Sequence, residues 1–410
     1  MKILICAPVI PYPTADGLRL RIFNLCRELA QRHEVHLFCL SRMAPSLEQE
    51  SALAEAGLGL TVALKPFLSP EDKITAYLKR LAQGVPPELI LSWENTIYKS
   101  LKDLQHEQRF DVALGEHLFM GRFLLAADCP KILVEHNIEG DLTKALVRHE
   151  RIPRRWFKMI GAVWIAHYEK KVLRRVQGAT AVTVNDAARL KALAPKLPVS
   201  VVENGVDCDE YAEMSAAPKG PGDSLLFVGL MSYPANIDAV RWFADEIFPL
   251  VSDRHPGTVF SVVGKDPTPE ILSLDNGTTV RVLGYVDDIH PWHRANSIMV
   301  APLRSGGGSR LKILEAFAAG TPVISTSKGA EGLEVEDGRH LLIADSPQDF
   351  AWAVTRLSED DELYQKLRVS ARALVEEKYD WPVLAAKLEA AITEVAGAGI
   401  GAGTDGIKTG

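Results

Sequence analysis

Short apolar runs alternate with segments of helical periodicity along nearly the whole chain, and this alternation limits the fold more than any other feature. The runs at 3–7, 34–40 and 131–134 have the length of buried strands, whereas 18–32 repeats apolar residues at helical spacing. Such alternation favours a parallel sheet covered by helices on both faces. The sequence therefore predicts an α/β chain with doubly wound sheets.

The alternation of apolar runs and helical segments occurs twice along the chain. Turn formers at 218–223, typical of a linker between domains, precede a second set of apolar runs that starts at 225–228 and ends at 341–343. A chain of 410 residues also exceeds the roughly 250–300 residues at which one hydrophobic core stops growing. We therefore expect two Rossmann-like domains, followed by a disordered glycine-rich tail at 397–410.

Composition and charge exclude several classes of function. The formal net charge of -7 argues against nucleic acid as a partner, because phosphate contacts require a basic surface. The five cysteines are scattered and form no C-x-x-C pair, which fits a reducing compartment. No uncharged apolar run reaches the roughly 18 residues of a membrane-spanning helix. We expect a cytoplasmic protein, soluble or peripheral at the inner face of the cell membrane.

A glycine-rich segment joins the apolar run at 298–301 to a helical pattern that begins near Ser309. Backbone N–H groups without a Cβ nearby approach an anion closely, and the helix N-terminus adds partial positive charge. A carboxylate further along the helix can accept hydrogen bonds from two ribose hydroxyls. These features predict a nucleotide site formed by Gly306, Gly307, Gly308, Ser309, Arg310, Lys312 and Glu315. A flexible loop with an exposed Lys312–Glu315 ion pair is the alternative.

Residues 308–324 resemble the donor-site signature of glycosyltransferase family 4. Other segments are similar to this family and follow in the family's order: the Asn-Gly-Val-Asp turn at 204–207, the strand opening at 227–229, and the segments 282–288 and 295–297 that flank the nucleobase pocket. The resemblance covers nearly the whole chain. It is more specific than any one of these motifs.

The resemblance implies the GT-B fold, with two facing Rossmann-like domains and a final helix that crosses back to the first. The N-terminal, acceptor-side domain would be 1–205, completed by the crossover helix 378–396, and the donor-binding domain would be 206–377. The implied activity is hexosyl transfer from a nucleoside-diphosphate sugar to a glycan or lipid-linked saccharide, with retention and without a metal or cofactor. The subgroup resembled belongs to bacterial exopolysaccharide biosynthesis.

Three positions depart from the commonest family pattern. Gly307 stands where many members carry the first Glu of a Glu-(seven residues)-Glu pair, and Leu230 and Asn236 replace an Arg and a Lys that hold the diphosphate. We expect Arg310 and Lys312 to compensate. A non-catalytic sugar-nucleotide-binding subunit and a sugar-nucleotide epimerase remain alternatives.

Candidate residues of the first domain follow its apolar runs. Gly17 resembles the family's glycine loop over the donor phosphates, and His117 resembles its active-site histidine, which would position the acceptor and stabilise charge. Glu116, His136 and Asn137 follow strands in the same way and are expected on the acceptor side. A simple turn at Gly17 and a structural histidine at 117 are the alternatives. No metal site is expected.

The segment 148–175 carries nine Lys or Arg against two Glu. Its basic face could attract an anionic membrane, which would suit a lipid-linked acceptor. Aromatic and apolar residues in the segment, including Val163, Trp164 and Tyr168, recur at helical spacing. We interpret them as the core stripe of a helix.

Overall fold

The computed structural model describes residues 1–64, 94–140, 154–217, 219–306 and 310–401. The chain divides into two compact units: Met1–Glu203 together with the C-terminal segment from Leu384, and Asn204–Val383. Each unit contains one sheet in which all pairs of neighbouring strands are parallel. The predicted α/β architecture with two Rossmann-like units is confirmed.

The sheet of the first unit has seven strands: β1 Lys2–Ala7, β2 Glu34–Ser41, β3 Leu58–Leu64, β4 Val112–Glu116, β5 Lys131–Glu135, β6 Gly178–Ala181 and β7 Val199–Val201. Their order across the sheet is β3-β2-β1-β4-β5-β6-β7. The central strands β1 and β4 are buried along nearly their whole length, as their continuous apolar runs require. The sequence analysis did not find β3, an edge strand whose side chains are mostly half-buried.

The helices of this unit are α1 Gly17–Ala30, α2 Leu47–Glu55, α3 Glu94–Glu107, α4 Gly121–Leu124, α5 Arg154–Leu173 and α6 Val184–Leu193, with a 3-10 turn at Leu118–Met120. Side chains cap the first turns of two of these helices. The Asp16 carboxylate accepts a hydrogen bond from the Arg19 N–H at α1, and Ser46 and Gln49 form a capping box at α2. The core between the sheet and these helices includes Phe38, Phe123 and Leu133.

The sheet of the second unit has six strands: β8 Ser224–Val228, β9 Val259–Val263, β10 Val280–Gly284, β11 Ile298–Ala301, β12 Val323–Ser325 and β13 Leu342–Ile343. Their order is β10-β9-β8-β11-β12-β13. Phe227, Phe243, Phe260 and Phe350 pack in the core on one face of this sheet.

The helices of the second unit are α7 Ala212–Ala216, α8 Pro234–Trp242, α9 Phe248–Ser252, α10 Pro269–Leu272, α11 His290–Ala295, α12 Leu311–Ala318, α13 Pro347–Glu359 and α14 Asp361–Lys378. A π-helical turn, Phe243–Ile247, separates α8 from α9. Pro249 explains the interruption, because its ring lacks an N–H and would clash with a carbonyl one turn earlier in a regular helix.

The last helix, α15, spans Trp381–Gly401, and its residues from Leu384 onward belong to the first unit. The Glu389 carboxylate contacts Arg32 and His33 at 2.7 Å each. Residues 397–401, expected to lie in a disordered tail, continue this helix instead, because each residue added to a helix end gains one backbone hydrogen bond. Residues 402–410 lie outside the described residues.

The turn formers expected to link the domains lie inside the second unit instead. The Lys219 ammonium donates to the His293 carbonyl oxygen at 2.6 Å and to the Thr321 hydroxyl at 2.8 Å. Gln365 donates to the Lys219 carbonyl oxygen at 2.7 Å. These bonds hold Lys219 against the second unit. The first unit ends at Glu203, and the second begins at Asn204.

The order of strands reverses once in each sheet, between β1 and β4 in the first unit and between β8 and β11 in the second. The loops that leave the carboxyl ends of such a strand pair run to opposite faces of the sheet. The crevice between them is where doubly wound sheets bind ligands. Each unit therefore offers one topological switch point as a place for a site.

We expect Ile392→Ala to destabilise the first unit, because Ile392 is fully buried on α15. Truncation of a buried isoleucine costs about 2–5 kcal/mol. Glu394→Ala, an exposed change two residues further along the same helix, should cost less than about 0.5 kcal/mol. Urea unfolding followed by circular dichroism measures both. Equal unfolding midpoints for the two variants would show that α15 does not complete this core.

Candidate functional site

The glycine-rich loop lies at the switch point of the second sheet, where it connects β11 to α12. Gly306 adopts φ +92°, and a Cβ at this position would lie 2.9 Å from the Ala235 Cβ. Glycine is therefore required by the backbone as well as by the close approach of α8. The predicted residues Gly307, Gly308 and Ser309 lie outside the described residues.

Helix α8 also holds the start of this loop. The Arg304 guanidinium donates two hydrogen bonds to the Asp238 carboxylate, from Nη2 at 2.6 Å and from Nε at 3.1 Å. Its guanidinium carbon lies 4.9 Å from the centre of the Trp242 ring. A bidentate pair and a stacked ring fix the guanidinium in one orientation. The residue that precedes Ser305 and Gly306 is thus anchored to α8.

Lys312 is anchored to the same helix on the other side of the loop. Its Nζ donates to the Asn236 side-chain oxygen at 2.9 Å and lies 4.0 Å from the centre of the Phe227 ring. Asn236 in turn donates to the Leu230 carbonyl oxygen at 2.9 Å. Burial, with the charge of Arg310 as a second cause, lowers the pKa of Lys312 to about 7. The charge of Glu315 acts in the opposite direction. Among the described residues, the hydrogen-bond partner of Lys312 Nζ is the neutral Asn236 amide and not a carboxylate.

Arg310 precedes the first residue of α12 and is 6% exposed. Its Nη2 donates to the Lys328 carbonyl oxygen at 2.7 Å, whereas its buried Nε has no hydrogen-bond partner among the residues described. Among the described residues, no side chain caps this end of α12. A buried guanidinium nitrogen, an ammonium and an uncapped helix start form a site that favours an anion.

Glu315 lies further along α12 on the same side of the unit. No hydrogen bond to its carboxylate occurs in the part of the chain that the structure describes. Burial raises the pKa of Glu315, and Glu210 adds to this, whereas Lys312 and His290 oppose it. The structure thus brings the predicted residues Gly306, Arg310, Lys312 and Glu315 together at one end of the sheet.

In the first unit, Gly17 is the exposed first residue of α1, in the loop that leaves β1. Beside this loop lies a cavity of about 520 Å³. Its lining includes Tyr12, Arg19 and Arg42. The Arg19 guanidinium pairs with Asp16, so that one of the two arginines is already neutralised.

Glu116 and His136 form a hydrogen-bonded pair at the ends of β4 and β5, beside the switch point of the first sheet. Glu116 is the last residue of β4, is 2% exposed, and accepts a hydrogen bond from His136 Nε2 at 2.8 Å. His136 follows β5 directly. Burial lowers the pKa of His136, and the bond to Glu116 acts in the opposite direction. The half-buried Asn137 is the next residue along the chain.

His117 follows β4 and adopts φ +77°, a region that non-glycine residues rarely enter. Its Nδ1 accepts a hydrogen bond from the Phe119 N–H at 3.3 Å, and its Nε2 lies 2.9 Å from the Glu139 carboxylate. The ring stacks on Phe119 with centroids 4.4 Å apart, and the His136 ring lies 6.1 Å away. His117 therefore has a local partner at both ring nitrogens.

Glu139 and Glu169, which were not expected from the sequence, belong to the same cluster. Glu139 contacts His117, and the Glu139 N–H donates to the Glu169 carboxylate at 3.0 Å. Burial raises the pKa of Glu135 well above its usual value, and the charges of Glu169 and Glu139 raise it further. Burial and these two charges therefore favour the neutral form of the Glu135 carboxyl group. These contacts join residues that are separated in the chain, and no spacing pattern in the sequence predicts them.

The aromatic stripe expected in the helix of the basic segment is only partly buried. Val163 is 62% and Trp164 is 36% exposed, whereas Tyr168 is 6% exposed. The expectation of a core position is thus wrong for Val163 and Trp164, since helix α5 turns them toward solvent while Tyr168 faces the core. Residues 148–153 lie outside the described residues.

Two features are absent from the described residues. Among them, no helix has both the length and the apolar character needed to cross a bilayer. Within the same residues, no three His, Cys, Asp or Glu side chains come together as a set of metal ligands.

Two family models match the chain, one in each unit. Residues 15–210 match the model described as Glycosyltransferase Family 4, and residues 222–360 match the model described as Glycosyl transferases group 1. The first match includes the loop at Gly17 and the His117 cluster. The second includes the glycine-rich loop and Glu315.

Curated relatives are similar over part of their length. A phosphatidyl-myo-inositol mannosyltransferase of Mycolicibacterium smegmatis is 29% identical over 244 residues, 57% of this chain and 60% of that protein. A 44.6 kDa protein of the cps region of Klebsiella pneumoniae is 25% identical over 165 residues, 38% of this chain and 42% of that protein. The chain thus matches about half the length of these relatives.

Solved structures resemble the chain over nearly its whole length. HepE of Anabaena in complex with UDP and glucose gives a TM-score of 0.65 at 15% identity, covering 96% of this chain and 99% of that chain. Sucrose-phosphate synthase of Thermosynechococcus elongatus gives 0.67 at 14% identity, covering 97% of this chain and 100% of that one. This likeness confirms the predicted GT-B fold.

The pKa of Lys312 predicts how stability depends on pH. Below pH 7 the lysine is charged in the folded and the unfolded state. Between the folded value of about 7 and the unfolded value near 10.4, the folded state releases a proton that the unfolded state keeps. The free energy of unfolding therefore rises with pH in this range, by up to about 1.4 kcal/mol per pH unit for one lysine.

We expect Lys312→Met to reduce this rise between pH 7 and pH 10, measured by denaturant unfolding. The rise should not vanish, because burial also lowers the pKa of Lys219 to about 7. Lys366→Met, at an exposed position of α14, is the control and should keep the wild-type slope. Identical slopes for wild type and Lys312→Met would contradict the assignment.

Proposed function

Because the chain belongs to glycosyltransferase family 4, we propose that it transfers a hexose-type sugar from a nucleoside-diphosphate sugar to a glycan or lipid-linked saccharide. One observation carries the proposal: Arg310, Lys312 and Glu315 meet at the uncapped start of α12, inside the segment matched by the group 1 model. We infer retention of the anomeric configuration and no requirement for a metal.

In this proposal the second unit binds the donor. The buried charges of Arg310 and Lys312 and the N–H groups at the start of α12 stabilise the diphosphate. Negative charge on the diphosphate grows as the bond to the sugar breaks, so that these groups act more strongly in the transition state than in the ground state. Glu315 accepts hydrogen bonds from the ribose hydroxyls and fixes the register of the nucleotide.

The proposed diphosphate site explains two departures from the family pattern. Asn236 occupies a position where many members carry a lysine, and here its side-chain oxygen accepts a hydrogen bond from Lys312. Leu230 replaces an arginine and offers its carbonyl oxygen to Asn236. Arg310 and Lys312 then supply the positive charge for the donor. HepE, a protein of the same fold, was crystallised with UDP-glucose, which supports a nucleotide sugar as the ligand.

We assign the acceptor side to the first unit, with Glu116, His117, His136 and Asn137 as the polar groups concerned. His117 shapes the loop after β4 through its contacts with the Phe119 N–H and the Glu139 carboxylate. In a retaining transfer the departing phosphate can take the acceptor proton. The loop at Gly17 is proposed to close over the donor phosphates.

Surface or exopolysaccharide assembly is the proposed setting. The relative in the cps region of Klebsiella pneumoniae and the mannosyltransferase relatives named for phosphatidyl-myo-inositol support acceptors of this kind. The exposed Val163 and Trp164 on the basic helix α5 suit peripheral contact with an anionic membrane at its cytoplasmic face.

A thermal-shift panel tests the donor assignment. The diphosphates of uridine, guanosine, adenosine, cytidine and thymidine, and their sugars, should include at least one ligand that raises the melting temperature with increasing concentration. No shift with any member would contradict the proposal. Product analysis then separates the activities: a glycosylated acceptor supports transfer, an epimerised sugar nucleotide indicates an epimerase, and binding without a product indicates a non-catalytic subunit. Chelation with EDTA should leave transfer unchanged.

Glu315→Ala should weaken binding of the nucleotide found in this panel. Loss of hydrogen bonds to a charged group costs about 1.5–3 kcal/mol, so that the dissociation constant should rise about tenfold or more. Isothermal titration calorimetry measures it directly. Glu362→Ala, an exposed change on α14, serves as the control, and unchanged donor affinity in Glu315→Ala would remove Glu315 from the donor site.

A further inference from the structure

Tyr233 lies beside the glycine-rich loop, at the end of the loop that connects β8 to α8. It is the last residue before α8 and is 38% exposed. A Cβ on Gly306 would lie 3.4 Å from the Tyr233 hydroxyl oxygen and 3.6 Å from the ring carbon Cε1. The phenol group therefore lies against the side of Gly306 where other residues carry a Cβ, a contact that no sequence pattern predicted.

The hydroxyl group of Tyr233 has no hydrogen-bond partner among the residues described. The backbone of this residue is engaged, since its N–H donates to the Leu230 carbonyl oxygen at 3.2 Å and its carbonyl oxygen accepts from the Asn236 N–H at 2.9 Å. A phenolic hydroxyl can donate one hydrogen bond. The partly exposed side chain thus offers an unused O–H group beside the glycine-rich loop.

Arg310 contacts the same glycine. Its Nη2 lies 3.4 Å from the Gly306 carbonyl oxygen, and its buried Nε has no partner among the described residues. Burial lowers the pKa of Arg310, whereas Glu331 and Tyr233 act in the opposite direction, so that Tyr233 is near enough to interact with this guanidinium. An O–H group and a buried N–H group therefore lie on either side of one glycine, and both suit an anion.

Helix α8 fixes the position of this hydroxyl group relative to the loop. Pro234 is the first residue of the helix, and its ring restricts the backbone directly after the tyrosine. A Cβ on Gly306 would lie 2.9 Å from the Ala235 Cβ. Further along the helix, Asp238 accepts two hydrogen bonds from Arg304. Groups that are held in place before a ligand binds lose little conformational freedom on binding, which favours affinity.

We propose that Tyr233 is a further donor-binding residue: its hydroxyl group donates a hydrogen bond to a phosphate oxygen of the sugar nucleotide bound at Arg310. This inference rests on the proposed transferase function and deepens it. Leu230 and Asn236, on either side of Tyr233 in the chain, bring no charge to the site. A hydrogen bond from a hydroxyl group to an ionised phosphate is stronger than one between neutral groups. Tyr233 thus contacts the diphosphate from the loop in which the two departures from the family pattern occur.

Tyr233→Phe tests this bond, because it removes the hydroxyl group and keeps the ring against Gly306. Isothermal titration calorimetry should show that the dissociation constant of the nucleoside diphosphate found in the panel rises about tenfold or more, as expected for a hydrogen bond to a charged group. Tyr98→Phe, the same change on α3 of the first unit, is the control and should keep the wild-type value. An unchanged dissociation constant in Tyr233→Phe would overturn this proposal and leave the transferase proposal standing. A panel without any ligand would contradict both.

The side chain can also be observed directly in the full-length protein labelled with fluorotyrosine. The ¹⁹F NMR signal of Tyr233, assigned by its loss in Tyr233→Phe, should shift when the nucleoside diphosphate is added, and the Tyr98 signal should not. The nucleoside of the same base, which lacks the phosphates, should shift the Tyr233 signal less. An equal shift with both ligands, or no shift with the diphosphate, would place the hydroxyl group away from the phosphates and overturn the proposal.

Unfolding of the ligand-free protein separates donor binding from structural support. Removal of a hydroxyl group that has no partner in the folded protein leaves no buried polar group unsatisfied. The urea midpoint of Tyr233→Phe without ligand should therefore equal that of the wild type, whereas the increase in midpoint on addition of the nucleoside diphosphate should be smaller. A lowered midpoint without ligand, together with a wild-type increase on addition of the ligand, would show that the hydroxyl group supports the fold and not the donor.

Discussion

The reversal of strand order in each parallel sheet is the constraint on which both candidate sites depend. Parallel strands end at the same edge, so that residues following β4 and β5, or β8 and β11, meet there even though they are far apart in sequence. Neighbouring loops diverge at the reversal and leave backbone groups and side chains uncovered. The start of α12 lies at the reversal of the second sheet, and the pair of Glu116 and His136 lies beside the reversal of the first. The topology of the two sheets therefore determines where both candidate sites lie, whatever side chains occupy them.

At the second switch point, the structure holds positive charge without fully neutralising it. Lys312 rests against Asn236 and the Phe227 ring, and Arg310 is buried with one nitrogen unpartnered among the described residues. Burial of charge destabilises a fold unless the charge is well paired. Glu331 lies 3.9 Å from Arg310, and burial lowers the pKa of Lys312. An anionic ligand would remove much of the cost, so that the same arrangement that weakens the empty unit strengthens binding.

The sequence predicted well what depends on local pattern. Continuous apolar runs located the strands that carry the sites, and glycines before a helical pattern located the loop around Gly306. It predicted poorly what depends on tertiary contacts. It did not identify β3, an edge strand whose side chains are mostly half-buried. The contact between His117 and Glu139 joins two different strand ends, which no spacing rule anticipates.

The departures from the family pattern illustrate the same limit. Read singly, Asn236 in place of a lysine suggests a weakened diphosphate site. In the structure its side-chain oxygen accepts a hydrogen bond from Lys312, its amide donates to the Leu230 carbonyl oxygen, and a Cβ on Gly229 would lie only 2.8 Å from its nitrogen. A longer side chain at 236 would displace Lys312 from this place. Asparagine at 236 and lysine at 312 therefore depend on each other. The positive charge that many family members carry at position 236 on α8 lies at the start of α12 in this chain.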